Sequence, residues 1–99
     1  MLTLTIKKKW FDIILSGEKK EEYREIKPYY DSRFLKSIED TRPHTDTLLL
    51  RNGYGKDKPT LRCECIIYKG HGKKEWGAIP GNVYYVLKIL SVEEVKVNE

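Results

Sequence analysis

Five strand-like segments and only two short helical ones share these 99 residues, and this ratio constrains the fold more than any other feature. The strand-like segments are rich in alternating, β-branched or aromatic residues. They cover 1–6, 19–26, 45–52, 60–68 and 82–95, with a bend expected near Ser91. Two short helices cannot cover both faces of a five-stranded sheet, whereas curling the sheet buries its apolar face and removes exposed edges. We therefore predict an α+β fold, a small mixed β-barrel of about five strands with two short helices that plug or flank it.

Apolar spacing, together with glycine and proline signals, places the two helices. The first helix has a stripe at i, i+4, i+7 and i+8, formed by Ile6, Trp10, Ile13 and Ile14. Gly17 then stands where a helix often ends in the left-handed conformation. Pro28 opens the second helix, and Pro43 lies beyond its end. One face of the second helix is predicted to carry Tyr30, Phe34 and Ile38.

Length and charge indicate one small domain with an anionic partner. The chain fits a single domain, 1–99, without repeats or an interdomain linker. The formal net charge is +4, and residues 51–77 hold seven basic and three acidic side chains, an excess of +4 within that stretch. Such a stretch favours an anionic partner. No apolar run approaches the roughly 20 residues of a membrane span. The lysines follow the apolar start, unlike in a signal peptide, so we expect a cytoplasmic protein. We also expect a monomer.

The two cysteines predict neither a disulfide nor a metal centre. Cys63 and Cys65 are two residues apart in one predicted strand, which suits neither a disulfide framework nor a four-ligand site. His44 and His71 make no paired spacing that would complete such a site. We expect two half-buried thiols in a reducing compartment, and no metal or other cofactor.

A charged segment that reads SGEKKEEYR is the main candidate site. If residues 19–26 form a strand, Glu22, Arg24 and Ile26 share one face, and Lys19 can reach the same side from the turn. A carboxylate beside an arginine stays ionised, and the arginine keeps donors for a further anion or a base edge. The pattern fits an exposed outer strand as well, where each ion pair contributes roughly 0–1 kcal/mol.

The spacing of these residues resembles a known family signature. Gly17, Lys19, Glu22 and Arg24 match the G-x-K-x-x-E-x-R motif of the ASCH domain family, and they follow a strand and a short helix as in that family. The segment WGAIPG before a tyrosine-rich final strand resembles the small stand-alone members of bacteria and phages. The resemblance covers essentially the whole chain. It implies a PUA-like β-barrel with a cleft, lined by the signature residues, that binds single-stranded RNA or a nucleoside or nucleotide.

Resemblance to hydrolase branches of the same family leaves an enzymatic alternative open. These branches act on N4-acetylcytidine or on RNA. If the chain is such a hydrolase, Lys19 and Glu22 are the expected catalytic residues. Lys19 matches the lysine of the amidohydrolase branch, but Glu22 stands where its threonine would be, and Glu64 is a candidate for its later glutamate. As a base, Lys19 would need a pKa lowered by burial or by positive neighbours such as Lys20 and Arg24. A third alternative, a protein-interaction adaptor, rests only on the family's appearance in larger regulatory proteins.

Two basic loops with aromatic residues are predicted to form the rim of such a cleft. Asparagine can read a base edge, aromatic rings can stack on bases, and lysines can hold phosphates. The loop residues predicted to bind nucleic acid are Arg51, Asn52, Tyr54, Lys56, Lys73, Lys74 and Trp76. Trp76 fits an anchor to the core equally well. The lysines 7–9, at the start of the first helix, fit either a bound phosphate or simple solvation.

Overall fold

The computed structural model describes residues 1–35, 37, 40 and 42–95. In that part of the chain, five strands and two α-helices follow the predicted order, with a short 3-10 helical turn before the last strand. Their bounds are β1 Thr3–Ile6, α1 Lys8–Leu15, β2 Glu21–Glu25, α2 Pro28–Phe34, β3 His44–Asn52, β4 Thr60–His71, the 3-10 turn Lys74–Trp76, and β5 Val83–Val95. The α+β class with five strands and two short helices is confirmed. Ile38, predicted on the second helix, lies outside the described residues.

The sheet is curled but not closed. Its order is β1-β3-β4-β5-β2, with β1 parallel to β3 and every other neighbouring pair antiparallel. The edge strands β1 and β2 approach each other closely enough for Arg24 Nη2 to donate a hydrogen bond to the carbonyl oxygen of Thr5 at 2.9 Å. The predicted barrel is therefore a half-barrel, because side chains rather than a backbone ladder fill the seam between its two edges.

The core lies on the concave face of this sheet. Its buried side chains come from β1, β3, β4, β5 and both helices, and include Leu4, Ile6, Leu48, Leu50, Leu61, Ile67, Tyr85, Leu87, Phe11, Ile14 and Phe34. The predicted stripe of the first helix is partly wrong. Because α1 begins at Lys8, Ile6 belongs to β1, and the fully buried residues of α1 are Phe11 and Ile14. Trp10 and Ile13 are only half-buried.

The termini of both helices follow the glycine and proline signals. Gly17, the second residue after α1, has a φ of 85°, which is the left-handed geometry that glycine adopts most readily. Pro28 is the first residue of α2. The pairing of β4 with β5 skips Leu90, and this irregularity lies beside Ser91, where a bend is expected. No helix in the described ranges is long and apolar enough to cross a membrane.

The two cysteines are more deeply buried than predicted. Cys63 and Cys65 are free thiols with no exposed surface, because both point from β4 into the core. Burial raises the pKa of Cys63 to about 11 and that of Cys65 to about 12. Both thiols are consequently uncharged near neutral pH and pack as small apolar side chains.

Candidate functional site

A cleft of about 300 Å³ occupies the seam between the two edge strands, and we call it the β1–β2 cleft. The end of β1 and the start of α1 form one wall, and β2 with the start of α2 forms the opposite wall. The 3-10 turn contributes Trp76 and Gly77. The cleft therefore exists because the sheet fails to close, and five separate elements position its lining.

A buried trio of charged side chains lies in this cleft. Glu22 Oε1 is 3.1 Å from Lys19 Nζ, and Glu22 Oε2 is 2.9 Å from Arg24 Nη2. The side chains of Lys19, Glu22 and Arg24 are 1%, 8% and 15% exposed, respectively. The alternation of β2 explains the arrangement, since Glu22 and Arg24 share one face of the strand. These three signature residues line a concavity and do not form an exposed outer strand.

The trio also connects the walls of the cleft. Lys19 Nζ donates to the carbonyl oxygen of Trp76 at 2.7 Å, which attaches the 3-10 turn to the segment between α1 and β2. Arg24 donates from Nη2 to the Thr5 carbonyl oxygen and from Nη1 to the Tyr30 hydroxyl at 3.2 Å. The signature residues thus hold β1, α2 and the 3-10 turn around one space, in addition to any contact they make with a ligand.

The surroundings of Lys19 act on its pKa in opposite directions. Burial lowers the pKa of Lys19, Glu22 opposes this effect, and the positive charges of Arg24 and Lys9 add to the lowering. Lys20, which was predicted to lower this pKa, is exposed. Lys9 is instead the lysine whose positive charge lowers the pKa of Lys19. Lys19 Nζ also lies 3.9 Å from the centroid of the Trp10 ring. With Glu22 and the Trp76 carbonyl this makes three partners, as many as an ammonium group has protons.

Aromatic rings line the cleft on both sides. Trp10 and Trp76 come from α1 and the 3-10 turn, and Tyr30 comes from α2. Gly77 has a φ of 100°, and a Cβ at this position would lie 3.0 Å from an atom of the Trp10 ring. A glycine there lets the turn pack directly against Trp10.

A tyrosine hydroxyl fixes the segment that carries Trp76. Tyr23 accepts a hydrogen bond from the backbone N–H of Lys73 at 2.9 Å and donates one to Glu21 at 2.8 Å. Lys73 Nζ lies 4.6 Å from the centroid of the Trp76 ring. Of the residues predicted in this loop, Trp76 lines the cleft. Lys73 lies against the Trp76 ring, and Lys74 is exposed.

The other predicted binding segment, residues 51–56, contributes no residue to the lining of the cleft. Asn52 pairs with Ile6 at the end of the β1–β3 ladder, and Arg51 Nε donates to Thr60 Oγ1 at 3.2 Å. Tyr54 is 85% exposed and Lys56 is exposed. The structure therefore brings Lys19, Glu22, Arg24 and Trp76 together but leaves out Arg51, Asn52, Tyr54 and Lys56.

Glu64, the candidate for the later glutamate of the amidohydrolase branch, also lies outside the cleft. Glu64 is exposed on β4 and accepts a long hydrogen bond of 3.5 Å from Ser91. It lines a different surface depression, together with Met1, Thr47, Arg62, Ser91 and Glu93. Glu64 is not part of the β1–β2 cleft.

The three lysines at the start of α1 have different surroundings. Lys7 lines the cleft, Lys8 pairs with Asp12 at 2.6 Å, and Lys9 lies 4.7 Å from the centroid of the Trp10 ring. Sequence reasoning treated the three lysines as one group because they are adjacent. Helical geometry separates them, since successive residues of a helix point in different directions.

Several lining residues were not predicted as site residues: Thr5, Ile6, Trp10, Tyr23, Glu25, Lys27, Tyr30 and Gly77. Trp10 and Tyr30 have apolar spacing that indicates a core face, and nothing local distinguishes a core ring from a cleft ring. Lys27 and Tyr30 follow the charged segment by only a few residues, and the basic and aromatic composition of IKPYY was the available signal.

No protein-family model, curated protein sequence or solved structure matches this chain. The geometry of the β1–β2 cleft is therefore the basis for a functional proposal.

Proposed function

We propose that the chain is an ASCH-like domain of the PUA-like class, and that its β1–β2 cleft binds one base of single-stranded RNA or of a free nucleoside or nucleotide. The observation that carries the proposal is that buried hydrogen-bonding charges and aromatic rings line the same cleft. Ligand sites typically combine a few polar groups with apolar walls in a space of roughly 300–1,000 Å³. A cleft of about 300 Å³ suits one base rather than several stacked ones.

The polar groups of the cleft complement the edge of a base. Each oxygen of Glu22 receives one ion-pair contact, so its carboxylate retains lone pairs that can accept from an exocyclic amino group. Arg24 makes three hydrogen bonds within the protein and retains further N–H donors. Because Glu22 and Arg24 are held in place, they can read a base edge with little further loss of side-chain freedom.

Binding to a panel of nucleosides, nucleotides and short single-stranded RNAs, measured by calorimetry, tests this proposal. Trp76→Leu should weaken binding by roughly 5- to 150-fold, because stacking of a base on an aromatic ring contributes about 1–3 kcal/mol. The variant retains the bond from Lys19, which the Trp76 backbone accepts. Tyr54→Leu is the control, since Tyr54 is exposed outside the cleft. Equal affinity of Trp76→Leu and wild type would count against the cleft as the base site.

A second candidate, a small hydrolase of the N4-acetylcytidine or ribonuclease type, is favoured by one observation. Burial lowers the pKa of Lys19, as a general base requires. Three partners already surround Lys19 Nζ, however, and Glu22 replaces the threonine of the amidohydrolase branch. We expect slow turnover of N4-acetylcytidine at most. Efficient turnover that Lys19→Met abolishes would instead favour the enzyme.

A further inference from the structure

The buried trio of the cleft has an unbalanced charge. Lys19 and Arg24 contribute two positive charges and Glu22 one negative charge, so the trio carries a formal charge of +1. Glu22 is the carboxylate that acts on both cations; among the residues that the structure describes, no other carboxylate forms an ion pair with either. All three side chains are at least 85% buried.

An uncompensated charge in this position is costly to the free protein. Charges removed from water are stabilised only when opposite charges and hydrogen bonds replace the lost solvation. Glu25 also lines the cleft, but its side chain is 75% exposed and lies 3.8 Å from Lys27 rather than beside the trio. An anion bound in the cleft would supply the missing negative charge.

Lys7 adds a second positive charge to the same cleft. Within the described ranges, Lys8 pairs with Asp12 and Lys27 with Glu25, whereas Lys7 lines the cleft and forms no ion pair. The cations Lys7, Lys19, Arg24 and Lys27 therefore face only the two carboxylates Glu22 and Glu25, a formal excess of +2 in the lining.

We propose that the β1–β2 cleft takes a base together with an adjoining phosphate, so that its ligand is a nucleotide and not a neutral nucleoside. This inference rests on the proposed function and specifies the ligand of that site. The phosphate neutralises the charge of the trio and contacts Lys7. It belongs either to a free nucleoside monophosphate or to the phosphodiester backbone of single-stranded RNA, since both present the same anionic oxygens.

Comparison of five probes at low ionic strength tests the inference. The probes are a nucleoside, its 5′-monophosphate, its 3′-monophosphate, a trinucleotide that contains it, and inorganic phosphate. At least one phosphate-bearing form of the base should bind about tenfold or more tightly than the nucleoside, because hydrogen bonds to charged groups are the stronger ones. Tight binding of a monophosphate identifies a free nucleotide, and tight binding of the trinucleotide alone identifies an RNA phosphodiester.

Two variants and one control locate the phosphate. Lys7→Ala should lower affinity for the phosphate-bearing form several-fold and leave affinity for the nucleoside unchanged. Lys8→Ala should change neither, because Lys8 pairs with Asp12 outside the cleft lining. Lys19→Met makes the trio neutral and should reduce the difference between the affinity for the phosphate-bearing form and the affinity for the nucleoside. Lys7 is exposed, so its substitution tests the inference even if Lys19→Met folds poorly.

The outcomes separate this inference from the proposed function. Equal affinity for the nucleoside and all its phosphorylated forms overturns the nucleotide inference and leaves base binding intact. Binding of inorganic phosphate without binding of any base overturns the proposed function and the nucleotide ligand with it, and leaves only an anion site. No binding by any probe overturns both.

Discussion

Arg24 of β2 donates from Nη2 to the carbonyl oxygen of Thr5 in β1 at 2.9 Å. This bond spans the seam where a closed barrel would have a backbone ladder. The guanidinium simultaneously contacts Glu22 and the Tyr30 hydroxyl, so one side chain connects β1, β2 and α2. The width of the β1–β2 cleft therefore depends on Arg24.

Arg24→Leu should lower the free energy of unfolding by about 1–3 kcal/mol. The change leaves Glu22 paired with Lys19 but removes a donor from the part-buried Thr5 carbonyl, and an unsatisfied buried group costs about 1–3 kcal/mol. Urea unfolding measures the loss. Arg33→Leu is the matched control, because Arg33 is exposed and its hydrogen bonds stay within α2. Equal losses in the two variants would contradict the role of Arg24 at the seam.

Glu22→Gln should destabilise the protein by about 3–5 kcal/mol, because it leaves the buried cations Lys19 and Arg24 without their carboxylate. Glu25→Gln should have little effect, since Glu25 is exposed. Adding Lys19→Met to Glu22→Gln should restore part of the stability by removing one of the two cations. Denaturant unfolding of wild type, Lys19→Met, Glu22→Gln and the double variant measures this coupling, and strictly additive effects would show that the two side chains act independently.

Stability should depend on pH through Lys19. Burial places the pKa of folded Lys19 below its ordinary value of 10.5. Between the lowered value and 10.5, the unfolded chain binds more protons at this position than the folded protein does. The contribution of Lys19 to stability must then rise with pH across that window. The difference in unfolding free energy between wild type and Lys19→Met, followed from pH 7 upward, should show this rise. A flat difference, or a fall, would contradict the lowered pKa of Lys19.

Gly77→Ala should destabilise the protein more than Gly81→Ala does. Both glycines have positive φ, 100° and 89°, so both substitutions cost about 1–2 kcal/mol of backbone strain. Only at Gly77 would the new methyl group lie 3.0 Å from the Trp10 ring, whereas nothing lies within 4 Å of it at Gly81. Thermal unfolding with tryptophan fluorescence measures the difference. Equal effects would mean that the 3-10 turn does not pack tightly on Trp10.

The order of the elements could be predicted because local signals specify it. Gly17 and Pro28 mark a helix end and a helix start through their own backbone restrictions, and both occur as predicted. Alternation in β2 also placed Glu22 and Arg24 on one face. The prediction of a closed barrel was wrong, because closure depends on whether the edge strands β1 and β2 pair with each other. No local sequence pattern specifies that pairing.

The candidate site was only partly predictable for the same reason. Lys19 and Trp76 are 57 positions apart, and their contact depends on the path of the whole chain between them. The basic excess at residues 51–77 suggested a rim, yet the cations that line the cleft are Lys7, Lys19, Arg24 and Lys27, all outside that stretch. The sequence shows how charge is distributed along the chain. The charged residues of a cleft come from elements that are distant in sequence, so that distribution does not identify them.

The two tryptophans allow a direct test of whether the β1–β2 cleft is the binding site. Both Trp10 and Trp76 line the β1–β2 cleft, and the chain has only these two indole N–H groups. In a titration with a nucleoside monophosphate followed by ¹H–¹⁵N NMR, both indole signals should shift together with the side-chain signal of Arg24. The amide signals of residues 53–58 should stay in place. Shifts confined to residues 53–58, with both indole signals unmoved, would contradict the assignment of the cleft as the binding site.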